Sequence, residues 1–226
     1  MPRQRLIKSS IAPYHVTIRA NNREWFKLPL PIVWEIFCEC LQLTQTRFGC
    51  DYFAFVLMAN HIHLLVGTPE ANLGSAMRYL FTEASRRIAR ASKRINKIFG
   101  ARYHWTILHK PRDLAYVYKY VHRNPVKARI CESVEVYPFS TLTQLNNGHC
   151  DIAIGERLGE YSTALPRDHN VRLRWLNQPT EKEAEKLIGR ALRRFEFQFT
   201  TGNEFQKQLR MLRATYGVEQ DMTATY

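Results

Sequence analysis

Two runs rich in β-formers, DYFAFVLM (51–58) and HIHLLVG (61–67), are separated by only Ala59 and Asn60. A connection this short has one solution, an antiparallel hairpin, because parallel neighbours need a crossover of a dozen or more residues. YHVTIRA (14–20) alternates as a strand does. PIVWEIFCECLQLTQTRF (31–48) carries apolar residues at Ile32, Val33, Ile36, Phe37, Cys40, Leu41 and Leu43, a helical stripe with Pro31 near its start. A long helix is expected from Leu73 to Ile98, with the stripe Met77, Leu80, Phe81, Ala84, Ile88, Ala91 and Ile95, and with Gly100 beyond its end. ARYHWTILH (101–109) reads as a fourth strand and RDLAYVYKYVHR (112–123) as a short helix ended by Asn124-Pro125. The order β-α-β-β-α-β-α predicts an α+β fold, a ferredoxin-like antiparallel sheet with helices on one face.

After Phe139-Ser140 the character changes. LNNGHCD (145–151) reads as a linker between a first domain, residues 1–145, and a mainly helical C-terminal extension, residues 150–226, with helical patterns near 180–195 and 203–215. Charge divides along the same line. Lys plus Arg number 21 against 9 acidic residues in positions 1–150, but 12 against 11 in 151–226, out of a net +13. The basic first part points to a polyanionic partner such as nucleic acid. The five cysteines have no C-x-x-C spacing, so neither a disulfide framework nor a zinc ribbon is expected; Cys38 and Cys40 read as helix packing. With no signal-peptide-like segment and no apolar run of membrane-spanning length, a cytoplasmic protein is expected.

In a strand, residues i and i+2 share a side, so His61 and His63 face one way and Ile62 the other. Given a third ligand, the two imidazoles can converge on one divalent ion; equally, they can be two hydrogen-bonded strand histidines. On a helix, Tyr120 and Asn124 stack at i and i+4. A phenol with pKa near ~10 is a poor nucleophile at neutral pH. Beside a cation that polarises a phosphate, the same phenol can attack phosphorus, and Asn124 offers an oxygen as third ligand. Tyr116 shares the face of Tyr120 one turn earlier and is its local rival, while Tyr118 points away. On the long helix, Arg78, Arg86, Arg87, Arg90, Lys93, Arg94 and Lys97 form a basic surface balanced within the helix by Glu83 alone. Further candidates for phosphate contact are Arg19, Arg23, Arg102, Lys110, Arg123, Lys127 and Arg129.

These elements together resemble the REP-associated tyrosine transposases, a branch of the single-tyrosine His-hydrophobic-His (HUH) transposases. The resemblance runs from YHVTIRANNR (14–23) through FVLMANHIHLLV (55–66), a Met-Arg-bearing helix (77–78) and GARYHWTIL (100–108) to YVHRNPVKARI (120–130) and YPFSTL (137–142). It implies the ferredoxin-like fold for residues 1–145. It also implies His61 and His63 as metal ligands with Asn124 as the third, Tyr120 as nucleophile, and Mg²⁺ or Mn²⁺ as the ion. The implied activity is cleavage and rejoining of single-stranded DNA at REP-type hairpins through a covalent 5′-phosphotyrosine, by a bacterial monomer or homodimer associated with the nucleoid when bound to DNA. Two other readings stay open: a hairpin-binding protein that has lost turnover, and a replication-initiator or relaxase-type HUH nickase. His15 is placed to orient a metal ligand, or is an ordinary strand histidine.

Overall fold

A computed structural model of the chain describes residues 5–143 and 159–198. Strands β1 (Tyr14–Arg19), β2 (Asp51–Leu57), β3 (His61–Gly67) and β4 (His104–Ile107) form one antiparallel sheet in the order β2-β3-β1-β4. The short connection at Met58–Asn60 is the expected hairpin, closed by Met58 N–H donating to His61 O at 2.8 Å. The other connections are the crossovers α1 (Leu30–Phe48) and α2 (Leu73–Ala91). Both pack on one face, against Tyr14, Val16, Ile18, Ile62, Leu64, Val66, Trp105 and Ile107. This is the ferredoxin-like arrangement anticipated from the element order.

Strand alternation then fixes what the other face carries: His15, Thr17 and Arg19 from β1, His61 and His63 from β3, and His104 and Thr106 from β4. Thr17 lies opposite His63 on one side and His104 on the other. In β2 a register shift between Tyr52 and Ala54 turns Phe53 and Ala54 together toward this second face. The helix α3 (Pro111–Lys127) packs here, burying Leu114, Val117, Tyr118 and Val121 with Phe53, Val56 and Leu65. The expectation of helices on one face therefore holds for the two crossovers, and α3 adds a layer on the other side.

Several boundaries depart from the periodicity. α3 does not stop at Asn124-Pro125 but runs through it to Lys127. Proline has no N–H for the carbonyl of Val121; the Asn124 amide supplies the missing donor, reaching Val121 O at 3.3 Å and Tyr120 O at 2.9 Å. α2 ends at Ala91 rather than Ile98, because the Ser92 hydroxyl turns back onto Ile88 O and Lys93 takes a left-handed φ of 52°. Ile95, expected in its stripe, is fully exposed, whereas Ile98 is buried. Ile32 and Leu43 of α1 also face solvent, their places in the core being taken by Trp34 and Thr44. Cys40 is a buried free thiol, but Cys38 is disulfide-bonded, which packing alone did not anticipate.

The linker stretch 145–151 and the helical pattern at 203–215 lie outside the described residues. Residues 159–198 contain helices α4 (His169–Asn177) and α5 (Lys182–Ala191), the latter matching the pattern near 180–195. Tyr161, Trp175, Leu176 and Ile188 share one apolar core with α3, because the face of α3 turned away from the sheet is itself apolar and needs a cover. After α5 the chain runs along the outer edge of β4, with Ile107 N–H donating to Phe195 O and Phe197 N–H to Ile107 O. At the opposite edge, YPFSTL grips β2. Tyr137 Oη donates to Leu57 O, Leu57 N–H to Phe139 O and Phe55 N–H to Thr141 Oγ1.

Candidate active site

The helix-bearing second face leaves a cleft of about 630 Å³ between β1, β3, α3 and α5. His61, His63, Tyr120 and Asn124 all line it, with Thr17, Arg19 and Lys127. The His61 and His63 rings lie 5.1 Å apart, and the Tyr120 ring stands edge-on to His63 at 6.1 Å. Ile62 points into the core of the opposite face, fully buried. The local rival is removed by burial: Tyr116 and Tyr118 are 1% and 3% exposed within the second core, so neither can meet a strand in the cleft.

Partners on the far side of each imidazole decide which nitrogen faces the cleft. Asn60 Oδ1 can only accept, so His61 donates to it from Nδ1 at 2.8 Å and keeps the Nε2 lone pair. Asn60 is itself held, its amide donating to Arg23 O and its carbonyl accepting from Ala20 N–H. His63 Nδ1 lies 3.0 Å from His15 Nε2. For His63 to offer Nε2 to a ligand, it donates from Nδ1 and His15 carries its proton on Nδ1, an atom buried with no partner. His15 thus contacts the ring nitrogen of His63 that faces away from the cleft.

Burial holds these rings neutral. His61 is pushed down to about 4 by burial and by the Arg19 charge, and His63 well below its usual range by burial, with His15, His61 and Arg19 adding. A neutral imidazole is the form that ligates a metal. Asn124 spends its N–H groups on the helix backbone, which leaves Oδ1 as its free polar atom. Among the described residues no three His, Cys, Asp or Glu side chains gather as a metal site. Two neutral imidazoles and one amide oxygen are donors that suit a divalent ion, the imidazoles favouring transition metals and the amide oxygen the harder ions.

The C-terminal extension supplies a wall that charge counting concealed. Glu185, Lys186, Gly189, Arg190 and Arg193 face the cleft from α5 and the residue pair after it. A Cβ at Gly189 would lie 3.8 Å from the Tyr120 hydroxyl. Lys127 Nζ sits 5.5 Å from the Tyr120 ring centre and 3.3 Å from Glu185, tying α3 to α5. Lys186, Arg190 and Arg193 follow helical spacing in the sequence, but the near-neutral total of that region hid a one-sided basic face.

Of the residues expected to touch phosphate, Arg19 and Lys127 line this cleft. Arg78, Arg86 and Arg102 line a second groove. Arg23, Arg90, Lys110 and Arg129 are exposed outside both. Arg123 is turned inward and is corrected to a structural role: its guanidinium donates to Leu176 O and Asn177 O at the end of α4. The basic surface of α2 is also less free than its own sequence implied. Arg87 pairs with Glu39 of α1, and Arg94 with Glu24.

The family model for IS200-like transposases matches residues 8–124, from just before β1 to Asn124. A curated protein of Haemophilus influenzae named as a REP-associated tyrosine transposase is 30% identical over 116 residues, which is 46% of this chain and 66% of that protein. The solved structure of a REP-associated tyrosine transposase bound to a REP hairpin superposes with a TM-score of 0.54 at 18% identity, covering 70% of this chain and 93% of the other. That likeness is one of fold. No helix among the described residues is long and apolar enough to cross a membrane.

Proposed function

This chain belongs to the IS200-like transposase family, and on that footing we propose that it nicks and rejoins single-stranded DNA at REP-type hairpins, with Tyr120 as the nucleophile. The observation that carries the reading is the edge-on approach of Tyr120 to the His61–His63 pair within one basic cleft. In the proposed step the Tyr120 hydroxyl gives up its proton to solvent as its oxygen bonds to the scissile phosphorus, and the bond from phosphorus to the 3′ oxygen breaks. The leaving oxygen takes up a proton to give a free 3′-OH, and the 5′ end stays on the tyrosine as a phosphodiester. Attack by another 3′-OH reverses the step, so no nucleotide cofactor is needed.

Mg²⁺ or Mn²⁺ held by His61, His63 and Asn124 would neutralise charge on the phosphate and ease attack by a phenol. The chain's own part is orientation. Asn60 and His15 fix the two imidazoles, the last turn of α3 holds Tyr120 and Asn124 on one face, and Arg19 and Lys127 attract the backbone. The role of the H. influenzae relative and of the hairpin-bound structure points the same way.

The test is a hairpin oligonucleotide with Mn²⁺, resolved on a denaturing gel. Wild type is expected to form a protein–DNA adduct with release of a 3′-OH strand, and Tyr120→Phe to form none while still binding the hairpin. An adduct with the Phe variant refutes the nucleophile. Binding by wild type without any nick returns the chain to a hairpin-binding protein that has lost turnover.

A further inference from the structure

The family match ends at Asn124, so α5 brings to the cleft residues from outside the matched part of the chain. They reach it along two helical rows. Glu185, Gly189 and Arg193 are spaced by four, and Lys186 and Arg190 run beside them. Arg193 lies just past the end of α5, but Leu192 N–H donating to Ile188 O and Arg193 N–H to Arg190 O carry the turn on. The first row passes Tyr120. With no side chain at Gly189, the helix comes so near that a Cβ there would lie 3.8 Å from the phenol oxygen. Glu185 stands one turn before that point and Arg193 one turn after it. The Tyr120 ring therefore has His63 on the sheet side, at 6.1 Å between ring centres, while its hydroxyl lies beside α5.

The ion pairs on this wall leave particular cations over. Glu185 is the one carboxylate among the residues lining the cleft, and Lys127 claims it at 3.3 Å. Lys186 is paired with Glu183 at 2.7 Å. Arg190 and Arg193 are exposed and form no ion pair among the described residues. The carboxylate that would repel an anion is thus neutralised, and two guanidinium groups stand free near the nucleophile. A guanidinium is planar, and its fork of N–H donors matches two oxygens of a phosphate. In phosphoryl transfer the transition state spreads charge over the non-bridging oxygens, which is where such a fork lowers the barrier.

We propose that Arg190 and Arg193 are catalytic residues supplied by the C-terminal extension, gripping the non-bridging oxygens of the phosphate that lies against Tyr120. The proposal rests on the nicking function above and deepens it. The family-matched residues hold the nucleophile and its histidines, and the extension completes the site, with the Lys127–Glu185 pair tying α5 in place.

The test uses the full chain. In Tyr120→Phe protein, which leaves the DNA whole, a methylphosphonate replaces each phosphate of a hairpin oligonucleotide in turn, removing charge one linkage at a time. At one linkage the replacement should weaken binding about tenfold when both arginines are present. On protein that also carries Arg190→Ala/Arg193→Ala it should have no effect there, and that linkage should be the one wild type cuts. With Tyr120 intact, Arg190→Ala/Arg193→Ala should slow adduct formation by about 100- to 1,000-fold at an unchanged Tm. Arg190→Lys/Arg193→Lys should recover only part of the rate, because lysine restores charge without the fork. Arginines that merely attract DNA would lose affinity at no particular linkage, and that result overturns the proposal. So does an adduct rate unaffected by the double substitution, or an arginine-dependent linkage away from the nick. If wild type cuts nowhere while one linkage still depends on the arginines, the nicking reading fails and the phosphate grip stands.

Discussion

Gly189 gives a direct probe of whether the C-terminal extension belongs to the working site. It lies within α5, its side-chain position 3.8 Å from the Tyr120 hydroxyl. That distance is ordinary van der Waals contact, so Gly189→Ala fits without displacing Tyr120. Replacing a helical glycine by alanine stabilises by roughly 0.5–1 kcal/mol, which in a chain of this size raises Tm by about 1–4 °C. Gly189→Leu carries the same helix preference but extends past Cβ into the space the hydroxyl occupies. The expected pattern is a small Tm gain and an adduct rate within about twofold of wild type for Ala. For Leu, a folded protein with at least about a tenfold slower adduct is expected, about 1.4 kcal/mol of lost transition-state stabilisation or more. Differential scanning fluorimetry and the gel assay read the two quantities independently. A Leu variant that folds and reacts at the wild-type rate would show that α5 does not stand over Tyr120 during the reaction.

Acid should destabilise the fold through buried neutral histidines. His122 is pushed down to about 3 by burial, with Arg172 adding, against about 6.5 when unfolded. Its contribution is therefore complete above pH ~6.5 and is lost as pH falls toward 3, amounting to about 2 kcal/mol at pH 5. The urea midpoint at pH 7 and 5 measures this, and a His122→Gln variant with an undiminished pH slope would refute it. Arg123→Ala should cost about 2 kcal/mol through its two bonds to α4 carbonyls with no change in the salt slope for DNA; Arg19→Ala should lower that slope by about 0.7 and leave stability unchanged. His15→Phe should weaken Mn²⁺ binding about tenfold by releasing His63, read by electron paramagnetic resonance on DNA-free protein. Unaltered affinity would return His15 to an ordinary strand residue.

The sheet, its two crossovers and the shared face of His61 and His63 were legible because they depend on local period and on a connection too short for any alternative. Tyr120 and Asn124 were legible for the same reason, four residues apart on one helix. What stayed hidden depends on partners distant in sequence. Pro125 marks a helix end by itself, and only the side-chain donation from Asn124 explains why α3 continues. The basic run on α2 reads as a free surface until Glu39 and Glu24 arrive from other elements. Arg123 looked like its neighbour Lys127, yet α4, some fifty residues later in the chain, supplies the carbonyls that claim it. The face of α5 that lines the cleft was masked by averaging charge over the whole extension.

The two strands at the margins of the sheet are not open. Residues 195–197 occupy the free side of β4, and 139–141 the later part of β2. Exposed strand margins are where chains join by sheet extension, productively or as aggregates. A second copy arriving at β4 would have to peel away residues 195–197, which follow directly on α5. Three residues join α5, whose Gly189 stands beside the Tyr120 hydroxyl, to this edge segment, so the cover of β4 and one wall of the cleft are neighbours along the chain.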